Sequence, residues 1–247
     1  MQNDPVLSDL DRSDEHINVL LSEVTEMNRQ FFSASARGGA ALFVSAAAML
    51  LIGILLFAVR SDLANPQAWV LWFLLTIVAC FVGIKKLSAP VVLAETTDEG
   101  LIYYHTYGAW MVRWEDIGQV QQIEIHGREL AWIGVRLTHY DALLQSIPLR
   151  LAVRLLIEQR SVLIAAVGGA CPSGRCAADF LMDALEYRTP QTLYKGVQAM
   201  FAQRMAHLRQ LLHTDLLIPI DFKDCSAQDF TQHLNRQRLI FTQENNG

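Results

Sequence analysis

The chain has 247 residues, 52% of them hydrophobic, with 20 Lys plus Arg against 25 Asp plus Glu and a formal charge of −5. That length holds one or two domains, and the acidic balance excludes bulk electrostatic attraction to nucleic acid, so no nucleic-acid partner is expected. The hydrophobic fraction exceeds that of ordinary soluble domains, and the excess lies in two uncharged stretches near the start.

Residues 1–37 read as an N-terminal amphipathic helix, with helical period from 6 to 35. Ile17, Leu20, Val24, Met27 and Phe31 follow spacings of 3, 4, 3 and 4 and share one stripe. Asp14, Glu15, Glu23, Glu26 and Arg29 occupy the other faces. Helices that lie on membranes are usually rich in Lys and Arg, whereas this polar face is mainly acidic. Packing against protein is therefore expected, including self-association with a second copy.

Residues 38–86 read as a transmembrane hairpin. Gly38 to Val59 and Leu63 to Ile84 each give 22 residues without charge, separated by Arg60, Ser61 and Asp62. A helix needs roughly 20 mostly apolar residues to cross the hydrocarbon core, and the spans are placed at 38–59 and 67–84. Arg29 and Arg37 precede the hairpin, Lys85 and Lys86 follow it, and the connecting loop offers Arg60 beside Asp62. Positive residues near span ends stay on the cytoplasmic side, so a multi-pass protein of a bacterial inner membrane with both termini cytoplasmic is expected. Trp69 and Trp72 suit the headgroup level. A cleaved signal peptide is not expected, because about 37 mostly polar residues precede the first span. Cys80 reads as a small apolar residue of the second span, and Cys171, Cys176 and Cys225 would lie in a reducing compartment without disulfides.

After Lys86 the pattern changes to strands. Val91 to Ala94, Leu101 to Tyr107, Trp110 to Trp114, Ile117 to Ile125 and Leu130 to Thr138 are five β-rich runs about ten residues apart, suggesting an antiparallel sheet or small barrel. Pro148 then opens a nearly all-apolar helix, Leu149 to Val167, ended by Gly168-Gly169. A short helical stretch is expected over Asp179 to Tyr187. Thr189-Pro190 reads as the N-cap of a helix to about His213, Leu216 to Pro219 as an extended piece, and Ser226 with Asp229 as a capping box opening a last helix to about Arg238.

The stretch PVVLAETTDEGLIYYHTYGAWMVRWEDI, Pro90 to Ile117, resembles the opening strands of pleckstrin-homology-like domains in bacterial membrane proteins. The matching parts are Asp98-Glu99-Gly100, Gly108 and Trp114-Glu115-Asp116-Ile117. The resemblance implies that Leu149 to Val167 is the closing helix, and that seven strands would be usual where five are read. The whole chain is similar to a family of uncharacterised proteobacterial inner-membrane proteins, which implies no activity. The expected fold class is membrane α+β: a two-helix transmembrane hairpin (38–86), an antiparallel PH-like β-domain with its closing helix (87–168) and an α-helical C-terminal extension (169–247).

Motifs that carry chemistry are weak. Cys171 and Cys176 have a spacing zinc allows, with Cys225 and His213 as further donors, but a structural site needs two close pairs and the second is not visible. Gly168-Gly169 through Gly174-Arg175 lacks the Gly-Lys-Ser/Thr of a phosphate loop. Ser173 lacks the context of a hydrolase nucleophile, and His105 and His139 pair with no metal-spaced partner. Arg113, Arg128, Arg136, Arg150 and Arg154 are too scattered for a headgroup cluster and read as solvent-facing. No catalytic, cofactor-binding or metal-binding residue and no cofactor is expected, so the chain does not read as an enzyme. The expected role is a membrane-anchored interaction or scaffolding module with the lipid bilayer and a protein as partners; the alternative is lipid or ligand sensing.

Overall fold

The computed structural model describes residues 28–34, 38–60, 65–88, 90–170, 180, 182, 184–223 and 225–244. A short strand, β1 (Gln30–Phe32), leads into two long helices, α1 (Gly39–Val59) and α2 (Pro66–Leu87). Strands β2 (Val92–Thr96), β3 (Gly100–His105) and β4 (Gly108–Arg113) follow, then a single 3-10 turn, Trp114–Asp116, and β5 (Ile117–Ile125) and β6 (Arg128–Leu137). Helices α3 (Asp141–Ser146), α4 (Leu149–Glu158) and α5 (Arg160–Ala170) come next. A two-stranded hairpin, β7 (Glu186–Arg188) and β8 (Leu193–Lys195), precedes α6 (Val197–Leu212), β9 (Leu216–Pro219) and α7 (Ala227–Glu244).

Two helices are long and apolar enough to cross a membrane, and nearly all of their side chains face outward. Asn65 starts α2 by accepting the Ala68 N–H at 2.8 Å, with Pro66 at the first helical position. The buried positions recur every seven residues: Gly39, Ala46 and Gly53 on α1, and Trp69, Thr76 and Gly83 on α2. A seven-residue repeat keeps one seam facing a partner helix, and small residues let the backbones approach where lipid supplies no hydrophobic drive. At Gly83 a Cβ would lie 2.9 Å from Phe43 Cα, so this contact requires glycine.

The strands form two antiparallel sheets, ordered β1-β2-β3-β4 and β5-β6-β9. β1 pairs with β2 across the whole hairpin, Phe31 opposite Ala94. On its other side β1 meets the segment after β9, through Ala34 N–H to Asp221 C=O at 2.8 Å and Lys223 N–H to Phe32 C=O at 2.9 Å. The main core runs from Phe31 through Leu101, Tyr103, Trp110 and Ile133 to Phe201, Met205, Phe230 and Leu234. Residues beyond 168 therefore share the core of the strands before them.

Several expectations are corrected. The helical stripe cannot extend to residue 35, because Gln30–Phe32 is a strand and Phe31 packs edge-on against Phe230 at 4.6 Å. Ile17, Leu20, Val24 and Met27, with the rest of the expected helix up to Met27, lie outside the described residues. Leu149 to Val167 is two helices, broken at buried Gln159, whose amide side chain reaches Leu217 C=O at 3.4 Å. Both halves contact the strands, and α7 also lies over them, packed on β5 and opened by the expected capping box, with Asp229 N–H to Ser226 Oγ at 3.1 Å. Thr189-Pro190 sits in the β7–β8 turn, with Thr189 N–H to Thr192 C=O at 3.0 Å, and α6 starts only at Val197. The five expected strands are present as β2 to β6, joined by β1 and β9.

Candidate functional site

Where β4 leaves the first sheet, the 3-10 turn swings the chain into the second. Its anchor is Trp114, buried, whose Nε1 donates to Thr97 C=O at 2.8 Å while its backbone N–H donates to Glu99 C=O at 3.1 Å. With that turn held, Asp116 is buried with one oxygen 3.3 Å from His139 Nδ1 and the other 3.6 Å from Arg113 Nε. His139 comes from the loop that ends β6, tied down by Thr138 N–H to Asp116 C=O at 2.8 Å.

The β7–β8 turn closes the third side. Asp141, at the start of α3, is buried and accepts the Thr189 hydroxyl at 2.7 Å and the Tyr194 hydroxyl at 2.9 Å. Between these walls lies an open cleft of about 450 Å³ lined by Arg113, Glu115, Asp116, His139, Gln145 and Gln191. A recess of about 210 Å³ on the same side of His139 is apolar, with Met111, Val112, Leu137 and Leu143. Another of about 360 Å³ runs past Tyr140, Tyr187 and Pro190 to Arg209.

Beside them sits an ion pair between half-buried Arg209 and fully buried Asp215. Asp215 accepts the Leu137 N–H at 2.6 Å and the Tyr140 hydroxyl at 2.5 Å, and pairs with Arg209 Nη2 at 2.5 Å. Arg209 also donates to Leu137 C=O and stacks over the Tyr140 ring at 5.1 Å. Burial, then the bond to Asp215, pushes the Tyr140 phenol well above its ordinary pKa, so it stays a donor. This network fixes the β6–α3 loop that carries His139. The cleft offers the Arg113 guanidinium, the His139 imidazole and the Glu115 carboxylate to solvent, with the buried carboxylates of Asp116 and Asp141 in its wall, which suits recognition of a charged polar group or segment.

Of the sequence candidates, Arg113 and His139 meet here. His105 lies elsewhere, stacked between Tyr103 and Tyr107 and 3.4 Å from Glu158. Arg128, Arg136 and Arg150 are exposed, and Arg154 bonds Glu158 at 2.7 Å, the expected i,i+4 pair. Cys171, Ser173, Gly174, Arg175 and Cys176 lie outside the described residues. Cys225 is free, its thiol pushed up by burial, and His213 is exposed at the end of α6. Among the described residues no group of three metal-ligating side chains occurs. Sequence reasoning does not reach Asp141, Gln191 and Tyr194, since they come from two segments fifty residues apart with no motif of their own; Glu115 and Asp116 lie within the Trp114–Ile117 motif.

A family described as "Protein of unknown function (DUF2982)" matches residues 94–239, more than half of the chain. The chain belongs to that family. The match begins within β2 and ends within α7, so it takes in the whole cleft and leaves β1 and both long helices outside. No curated protein matches the chain. No solved structure matches it.

Proposed function

We propose that this protein is anchored by α1 and α2 in a bacterial inner membrane and presents, on the cytoplasmic side, a pleckstrin-homology-like domain that serves as a non-enzymatic interaction or scaffolding module. The observation that carries this reading is the pairing of β1 with β2. Two apolar helices leave and re-enter one sheet, so an even number of crossings is built into the domain. Arg29, Arg37, Lys85 and Lys86 flank the hairpin on the sheet side, which favours the cytoplasm for that side. The domain assignment draws support from seven strands split four and three, with a turn at Trp114–Asp116 between the sheets and a final helix packed on β5.

The cleft is the docking place in this reading. β4 runs from Gly108, at the hairpin end of its sheet, to Arg113, roughly 17 Å away at about 3.4 Å per residue. The cleft therefore opens at the end remote from the hairpin, where a soluble protein segment can reach it. Its polar lining favours a small charged ligand as a second reading. In the test, the full-length chain is extracted in mild detergent and purified with whatever accompanies it, for the native protein and for Arg113→Glu and His139→Glu. Loss of a stoichiometric protein partner from both variants, with unchanged thermal unfolding, supports docking; loss of a small molecule instead supports ligand sensing. Retention of every companion by both variants counts against the cleft. A cysteine at Ala64 should label from outside, and a C-terminal reporter that also reads outside overturns the topology.

A further inference from the structure

The first sheet has a hairpin end, where Phe32 stands opposite Val92 and His105 opposite Gly108. Six residues connect Phe32 to Gly39 and four connect Leu87 to Val92. At about 3.5 Å per residue the shorter link reaches on the order of 15–20 Å, so this end is held close to wherever α2 stops.

Helix α4 packs against that same end. Gly108, at φ 139°, lets Pro148 approach to where a Cβ would lie 3.1 Å from its Cγ. His105 meets Glu158, and the Arg154 guanidinium lies 5.6 Å over the Tyr107 ring. Leu151, Ala152 and Leu155 form the buried face. The outer face is also apolar: Leu149, Val153 and Ile157, in four-residue steps, are 55%, 41% and 59% exposed. Arg150 and Arg154 border this stripe, and Tyr107, 45% exposed, extends it onto the β3–β4 turn. An apolar stripe flanked by arginines is the pattern of a helix lying in the membrane plane, and a contiguous exposed apolar surface marks a contact site.

We infer that α4 lies in the bilayer interface, with Leu149, Val153 and Ile157 among the acyl chains and exposed Arg150 at the anionic headgroups. The domain then stands on the membrane at a second place beyond its hairpin, and this inference rests on the membrane reading above. The short links favour this occupant, since they hold the stripe at the surface from which α1 and α2 descend. Exposed Arg150 adds charge complementarity with anionic lipid, while Arg154 is held by Glu158.

The test uses the full-length chain, its native cysteines replaced, in vesicles of phosphatidylcholine and phosphatidylglycerol. Single nitroxides are placed at Val153, at Ile157, at Ile77 in α2 and at Gln191 in the remote cleft. Collisions with oxygen, which concentrates in lipid, are compared with collisions with a water-soluble nickel chelate. Val153 and Ile157 should match Ile77 in favouring oxygen several-fold relative to Gln191. Nickel access at Val153 and Ile157 with oxygen preference at Ile77 overturns this inference alone. Shielding of both from either reagent also overturns it, because a protein segment such as residues 1–27 or a second copy then covers α4. Nickel access at Ile77 removes the membrane reading itself.

Discussion

Asn235 does for β5 what a neighbouring strand would do. Its side-chain oxygen accepts the Val120 N–H at 3.2 Å and its amide nitrogen donates to Val120 C=O at 2.8 Å, while Arg238 bonds Gly118 C=O. Unpaired sheet edges invite another strand, and here α7 closes the edge with side chains. Asn235→Ala should lower unfolding free energy by about 1–3 kcal/mol, the usual cost of stranding backbone groups, as read by chemical unfolding of the detergent-solubilised protein. No change would mean that water or another group pairs with Val120 equally well. His105 sets an acid limit instead. Burial pushes its imidazole below the ordinary range, with Glu158 only partly opposing this. The unfolded chain therefore binds more protons below pH about 6.5, and stability is intact above that value and falls as pH drops beneath it. His105→Gln should flatten that decline between neutral and mildly acidic pH; an identical slope would assign it to other groups.

At the scale of elements, legibility followed length and regularity. β2 to β6 could be read because each has at least five residues of β-branched, aromatic or alternating character. β1 has three residues and buries only Phe31, which also happens to fit the helical spacing of the stripe before it. Pro190 pre-sets φ for a turn as readily as for a first helical turn, so Thr189-Pro190 fits a hairpin turn and a helix start equally well. The apolar run after Pro148 gave no hint of its break, since Gln159 acts through a distant strand. The cleft was illegible for the same reason: Asp116, His139 and Asp141 are polar residues given meaning by packing between segments. Trp114 was legible, as an aromatic closing a strand. Trp114→Ala should cost about 3–5 kcal/mol, the range for a large buried aromatic, and should also disturb the cleft through the turn that carries Asp116. Unfolding unaffected by this change would separate the turn from the core.

For the whole molecule, the decisive feature is that the two long helices interrupt a folded unit rather than precede one. Joining Ala34 to Pro90 through a short Gly-Ser loop should yield a domain that unfolds cooperatively, because β1 and β2 are already adjacent antiparallel strands. A fragment beginning at Leu87 lacks β1 and Phe31 and should be less stable by about 3–5 kcal/mol; equal stability of the two would remove β1 from the fold. The same feature bears on how the chain is made. Phe32 is synthesised sixty positions ahead of its partner Val92, with both apolar helices between them. In the proposed membrane topology, β1 would wait at the membrane surface until the second helix has threaded back. A chain inserted with one crossing would, in that topology, strand β1 on the wrong side, leaving the seat of Phe31 empty and the first sheet with an open edge. In that topology only copies that thread both helices can bring β1 against β2 and fill the seat of Phe31.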